Sequence, residues 1–299
     1  MSTARRPGIP VSFLKTRRAR CIDRFMDLTW CEETAMRKQG VRAVFAVALA
    51  AMAMWGEGVQ AEGIKTIRFG LEAAYPPFES KATSGQLEGF DIDLGNALCA
   101  QLKAKCVWVE NAFDGLIPAL QARKFDAIDS AMNINAKRAE QVDFTVPLYL
   151  TPAQLVARKG STLRPTPEAL AGHSVGVLQG SIQEQYAKQM WAPKHVSVQS
   201  YQTQDEAYAD LVTGRIDATF VDATSASLGF LGKPNGKDFA FAGNPVNDAK
   251  IIGTGVGIAV RKGDNQLREA LNGAFAELKR NGTYQQLLKK YFTVDLAVH

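Results

Sequence analysis

Short apolar runs alternate with amphipathic stretches along most of this chain. Ile64–Leu71 reads as a strand. Tyr75-Pro76-Pro77-Phe78 cannot continue it, because proline donates no ladder hydrogen bond. Phe90-Asp91-Ile92-Asp93-Leu94 opens a helix whose acidic first turn suits the helix dipole, and Ile92, Leu94, Ala97, Leu98 and Leu102 repeat at helical spacing. A strand at Cys106–Glu110, a short amphipathic helix at Phe113–Arg123 and a strand at Phe125–Ile128 follow. A second series starts near His173, with strands at Ser174–Leu178, Val196–Tyr201 and Ile216–Phe220 and helices at Ser181–Met190 and Gln204–Thr213. Gly253–Val260 has the pattern of a further strand, and Asn265–Asn281 and Tyr284–Tyr291 read as closing helices. This alternation predicts α/β sheets with crossover helices. The stretch Ala119–Ala127 also echoes Asp210–Ala218, each running from a helix end through a basic residue, an apolar residue and Asp-Ala into a strand. Two similar lobes with a cleft between them would produce that echo, and ligands of open α/β sheets bind beyond the carboxyl ends of strands.

Length and charge sharpen the picture. The 299 residues carry 35 Lys and Arg against 30 Asp and Glu, a net charge of +5. Residues 1–61 hold ten of the basic and five of the acidic side chains, so the remainder is balanced at 25 of each. The excess is therefore no footprint for nucleic acid. The leader contains Met36-Arg37-Lys38-Gln39-Gly40-Val41-Arg42, the apolar run Ala43–Trp55, then Gly56-Glu57-Gly58-Val59-Gln60-Ala61. That is the layout of a secretory signal cut after Ala61. The run has 13 residues, short of the roughly 20 that span a bilayer. A charged stretch ahead of a complete signal suggests that translation begins at Met36. Cys21 and Cys31 fall in the leader. Cys99 and Cys106 remain, and an even pair at short spacing in an oxidising compartment reads as a disulfide rather than free thiols.

Few residues advertise chemistry. Gly176-Val177-Leu178-Gln179-Gly180-Ser181 places a glycine turn between a strand and a helix, where free N–H groups attract an anion. Gly253-Thr254-Gly255-Val256-Gly257 opens no helix, so these glycines read as close backbone packing and not as a dinucleotide fingerprint. Arg138 lies just beyond a strand read at Asp126–Met132, where a guanidinium can take a carboxylate on both oxygens. No serine elbow is present, and His173, His195 and His299 are scattered, so no catalytic triad, metal site or cofactor is indicated.

Several of these stretches carry a resemblance. Tyr75-Pro76-Pro77-Phe78-Glu79 with Gly89–Leu94, Asp126-Ala127-Ile128, Lys137-Arg138, Val142–Thr145, Gly176–Ser181, Gly214–Ala218 and Asn281–Tyr284 resembles the bacterial family 3 solute-binding proteins, the periplasmic receptors for polar amino acids in ABC importers. Val177–Ser181, Trp191–Lys194 and the Cys99/Cys106 pair resemble the lysine/arginine/ornithine- and histidine-binding branch. The resemblance implies a two-lobed α/β periplasmic binding protein of type II, a Venus-flytrap with two crossing hinge strands. Lobe 1 would comprise 62–150 plus 256–299 and lobe 2 151–255.

The same resemblance implies roles. Arg138 would grip an α-carboxylate with backbone N–H groups near Asn133, Ser181 and Ile182. Asp222, after the strand Ile216–Phe220, would accept the α-ammonium. Ser130 and Ala131 would line the cleft, Tyr75 and Phe113 would sandwich the ligand side chain, and Leu178 and Gln183 would complete the second wall. Glu72 would pair with a distal ammonium or guanidinium, where the branch more often has Asp. Ala131, Asn133 and Ile182 stand where small hydroxyl residues are common. The implied activity is non-enzymatic capture of a basic amino acid by a monomer that delivers it to a membrane permease and its ATPase. An opine or other amino-acid derivative, or a cyclohexadienyl dehydratase on the same scaffold, are the alternatives.

Overall fold

In the computed structural model, which describes residues 63–298, strand and helix alternation resolves into two five-stranded sheets. The leader, with its proposed cut after Ala61 and with Cys21 and Cys31, lies outside the described residues. The first sheet contains β1 (Thr66–Leu71), β5 (Lys105–Glu110), β6 (Ala127–Ile128), β7 (Val142–Phe144) and β13 (Ala259–Arg261), in the order β5-β1-β6-β13-β7. β1 runs parallel to β5 and β6, while β13 is antiparallel to β6 and β7. The second sheet contains β8 (Ala153–Arg158), β9 (Ser174–Leu178), β10 (Ser197–Tyr201), β11 (Ala218–Asp222) and β12 (Phe239–Phe241), in the order β10-β9-β11-β8-β12. Its first three strands are parallel and its last two antiparallel to their neighbours, as in the first sheet.

The two sheets therefore share one plan, and the sequence echo falls at matching places. β6 and β11 are the middle strands, and the aspartate just before each accepts a hydrogen bond from a backbone N–H of the neighbouring parallel strand. Asp126 takes the N–H of Arg68 at 3.1 Å, and Asp217 takes that of Ser174 at 2.8 Å. The echo has a physical cause in strand entry.

The chain passes between the lobes twice, from β7 to β8 and from β12 to β13. These two passages pair with each other: the N–H of Val256 donates to the Tyr149 carbonyl at 2.9 Å and that of Leu148 to the Val256 carbonyl at 2.7 Å. A small antiparallel sheet of β2 (Ala74–Tyr75), β3 (Glu79–Lys81) and β4 (Leu87–Glu88) sits on the first lobe. Helices Phe90–Gln101 and Asn265–Arg280 cover that lobe, the second burying Leu267, Leu271, Ala274, Phe275 and Leu278 on one face. Cys99 and Cys106 form a disulfide between helix Phe90–Gln101 and β5.

Four expectations need correction. Gly253–Val260 is not one strand: only Ala259 onward joins a ladder. Gly253 and Gly255 adopt φ of +91° and +127°, and a Cβ on Gly253 would lie 2.1 Å from the Ile134 carbonyl oxygen. Close packing, as read from the glycines, outweighs the strand-like composition. The strand read at Asp126–Met132 ends at Ile128, because the chain turns through Ala131 at φ 43°. β11 is displaced by two residues from Ile216–Phe220, which makes Asp222 its last member rather than a residue beyond it. The helix from Ser181 is α-helical only over Ile182–Tyr186 and widens into a π-turn at Ala187–Trp191. There the buried indole of Trp191 packs 4.7 Å from the Phe220 ring.

Candidate functional site

Arg138 lies on the short helix Ala136–Ala139, whose cap, Asn135, accepts the Arg138 N–H at 2.9 Å. The guanidinium donates to the carbonyl of Asn133 at 2.8 Å and, across the cleft, to that of Gly180 at 3.1 Å. It sits 5.4 Å from the centre of the Phe113 ring. Burial lowers its pKa to about 10, so it stays cationic at neutral pH. Gly180 can approach this closely because it has φ +76° and no side chain; a Cβ there would meet the Asp114 Cα at 2.7 Å. Ser181 follows as the cap of helix Ile182–Tyr186, accepting from the Glu184 N–H at 3.0 Å.

Asp222 ends β11 with its carboxylate buried. The Tyr75 hydroxyl donates to one oxygen at 2.9 Å and Gln183 Nε2 to the other at 3.2 Å. Burial pushes the Asp222 pKa up to about 7, opposed by those two donors and by the Arg138 charge. Tyr75 in turn sits on β2, ahead of Pro76 and Pro77.

These side chains enclose one small cavity between the lobes, about 10 Å³, room for roughly one water. Tyr75, Phe113, Ala131, Asn133 and Arg138 line it from the first lobe. Leu178, Ser181, Ile182, Gln183 and Asp222 line it from the second. The structure thus brings together ten of the twelve residues singled out from the sequence.

Glu72 and Ser130 stand behind the lining. Ser130 Oγ accepts the Glu72 N–H at 3.0 Å and donates to Glu79 Oε1 at 2.8 Å, so its hydroxyl is committed within the first lobe. Glu72 is 4% exposed, with one carboxylate oxygen unpartnered. Burial first, and the negative charge of Asp205 second, push its pKa up to about 7.

Glu79 lines the cavity and was assigned no role from sequence. The signal lies in the strand register, which the sequence alone does not display. Glu79 pairs with Tyr75 in the β2–β3 ladder, and directly paired residues on antiparallel strands project to the same face. No group of three or more His, Cys, Asp or Glu among the described residues is arranged to hold a metal ion. His173 lies at the surface, 3.5 Å from Asp217, and His195 is an exposed residue at φ 64°.

Residues 67–294 match the model of the bacterial extracellular solute-binding proteins, family 3. The chain belongs to that family. It is 50% identical over 232 residues to the histidine-binding periplasmic protein of Escherichia coli K12, covering 78% of this chain and 89% of the relative. It is 49% identical over 232 residues to the L-arginine-binding protein of Pseudomonas aeruginosa, covering 78% and 90%. Among solved structures, an ancestral arginine-binding protein bound to arginine matches with a TM-score of 0.71 and 36% identity over 77% of this chain and all of the other. An ancestral amino acid-binding protein described as a precursor of cyclohexadienyl dehydratase matches with a TM-score of 0.67 and 34% identity over 76% and 96%. Family membership accounts for the two-lobed plan. The cavity lining combines one buried cation, Arg138, with the buried carboxyl groups of Asp222 and Glu79, and Glu72 is buried outside the lining.

Proposed function

We propose that this chain is the periplasmic substrate-binding protein of an ABC importer, capturing a basic L-amino acid (arginine, lysine, ornithine or histidine) between its lobes. The observation that carries the proposal is the placement of Arg138 and Asp222 on opposite walls of one cavity. An α-amino acid presents a carboxylate and an ammonium on one carbon, and this pair of walls offers a partner to each. Arg138 takes the carboxylate with N–H groups near Asn133 and Ile182, and Asp222 takes the ammonium. Tyr75 and Phe113 cover the aliphatic stem, with Ala131, Leu178, Ser181 and Gln183 shaping the walls and Ser130 bracing Glu79 from behind. Glu72 neutralises the distal cation. The names of the relatives near 50% identity support the ligand class and the compartment.

The cavity of about 10 Å³ is far smaller than any amino acid, so entry requires the lobes to part about the two paired passages. Lobe 1 then spans 62–150 plus 256–299 and lobe 2 151–255, after export as a monomer cut behind Ala61. A ligand touching both lobes stabilises the closed form by its differential contacts, and the closed form docks on a membrane permease with its ATPase. A thermal-shift screen against the twenty amino acids, ornithine, citrulline and opines tests this, since binding raises apparent stability by mass action. Basic amino acids should give the largest shifts; larger shifts with acidic or apolar ones overturn the reading.

One observation favours a second reading. A Glu72 carboxyl near pKa 7 in a buried site suits a general acid, and one structural relative is described as a dehydratase precursor. Breakdown of prephenate or arogenate by the protein would establish that reading, and its absence leaves the receptor.

A further inference from the structure

Four carboxyl groups, Glu72, Glu79, Asp91 and Asp129, are buried on the first-lobe side of the cavity. Their oxygens accept from the Ser130 and Tyr149 hydroxyls and from the Ala74 and Ala131 N–H groups, the Glu79 and Asp91 carboxyl groups hydrogen-bond to each other, and no basic side chain among the described residues forms an ion pair with any of the four. Carboxylates crowded in this way cannot all be ionised. Asp91 has the donors to hold a charge, the Ala131 N–H at 2.8 Å and the Tyr149 hydroxyl at 2.9 Å. Burial and the Asp91 charge then push Glu79 and Asp129 well above the usual carboxylate range.

Glu79 differs from Asp129 in its position, because it lines the ligand cavity. It is 1% exposed. Its Oε1 accepts from Ser130, whose own oxygen takes the Glu72 N–H, no hydroxyl or amide donor reaches its Oε2, and its carboxyl group is within hydrogen-bonding reach of Asp91. The groups facing it are Ser130, Glu72, Asp91, Asp129 and Tyr149 on its own lobe. Arg138 lines the same cavity.

Resting on the amino-acid-binding reading, we propose that Glu79 sets ligand specificity by exchanging a proton. It is a neutral acid in the closed cleft. It becomes a carboxylate when the ligand carries a cation at its distal end. The O–H bond of Glu79 breaks, the proton passes to solvent, and the ligand cation takes its place beside the carboxylate and beside Glu72. A ligand that is neutral at that end leaves Glu79 protonated. Preference for cationic over neutral ligands therefore strengthens as pH rises. Asp222 also titrates in the cleft, but it faces the α-ammonium that both ligand types share, so its contribution cancels in the comparison.

The test is calorimetric titration of the protein with L-arginine and with L-citrulline, its neutral near-isostere, each in two buffers of different ionisation enthalpy. Arginine should release about one proton more than citrulline near pH 7. The ratio of their Kd values should move toward arginine by up to about tenfold per pH unit over the range in which Glu79 is still protonated in the free protein. Glu79→Gln should remove that difference in proton release while amino acids still bind. Equal release from the two ligands in the unaltered protein overturns the proposal and leaves the receptor reading intact. A difference that persists in Glu79→Gln assigns the proton to another acid and also overturns it. If no amino acid binds at all, both readings fall together.

Discussion

The phenol of Tyr75, on the first lobe, donates a 2.9 Å hydrogen bond to the carboxylate of Asp222, on the second. The backbone N–H of Asp222 points back to the same phenolic oxygen at 3.4 Å. One tyrosine thus serves as a wall of the cavity and as a tie between the lobes, and the acid assigned to the α-ammonium is held by donors from both sides. A second tie runs from Arg138 to the Gly180 carbonyl and a third from Gln179 Nε2 to Asp114 at 2.6 Å. The first two ties use residues proposed to hold the ligand, Tyr75, Asp222 and Arg138, so a ligand bound there would contact both lobes and favour their closure.

Replacing Arg138 by Met removes the only cation that lines the cavity among the described residues. Losing one partner of a buried charge pair costs about 2–5 kcal/mol, roughly thirty-fold to several-thousand-fold in Kd. The loss should apply to every amino acid the protein binds, because each has the same α-carboxylate. Equilibrium titration of the variant checks this, and retained affinity places the carboxylate elsewhere.

Gly180→Ala should weaken closure without removing any side chain proposed to hold the ligand. The residue sits at φ +76°, and its added methyl would lie 2.7 Å from the Asp114 Cα. Both the left-handed backbone and the contact oppose the closed arrangement. The expected outcome is a higher Kd for all ligands with little change in melting temperature without ligand, together with a larger radius of gyration by X-ray scattering when ligand is present.

The pH dependence of stability follows from acids whose folded pKa lies above the unfolded value. Asp91 is raised to about 6, and Glu72 and Asp222 to about 7, in each case chiefly by burial. The folded chain binds more protons than the unfolded one in this range, so stability falls as pH rises. The stabilisation is fully present below the unfolded carboxylate values, near 4, and is lost as pH passes through 6 to 7. Thermal melts without ligand should therefore show a falling midpoint from about pH 5 to pH 8. Acids held low by partners, such as Asp126 beside Arg68 and Arg261, act in the opposite direction and limit stability only at more acidic pH.

The Cys99–Cys106 disulfide joins a helix to the edge strand β5. Closing so short a loop restricts the unfolded chain by about 2–3 kcal/mol. Replacing both cysteines by serine should lower the denaturant-derived stability by about that amount. The affinity for amino acids should be unchanged, because neither cysteine lines the cavity.

Much of this was legible in the sequence, and the exceptions have causes. Ser174–Leu178 and Gln204–Thr213 occur as read, because an apolar run and the Thr203 capping box with Glu206 mark their limits locally. Gly253–Val260 carries the composition of a strand, yet its conformation is set by a contact with Ile134 more than a hundred residues away. Arg138 was legible as a cation at the end of a strand, although its strand is shorter than read. Glu79 was missed because an acid after two prolines looks like a surface turn. Only the β2–β3 register, pairing it with Tyr75, turns it inward. Glu72 was assigned to the distal end of the ligand and is absent from the cavity lining, with its backbone N–H held by Ser130.

A crystal structure of the protein with the tightest-binding amino acid from the ligand screen decides the central question. The expected result is a basic amino acid between the lobes, its carboxylate on the Arg138 guanidinium and its ammonium on Asp222. A ligand whose carboxylate and ammonium lie away from those two side chains contradicts it.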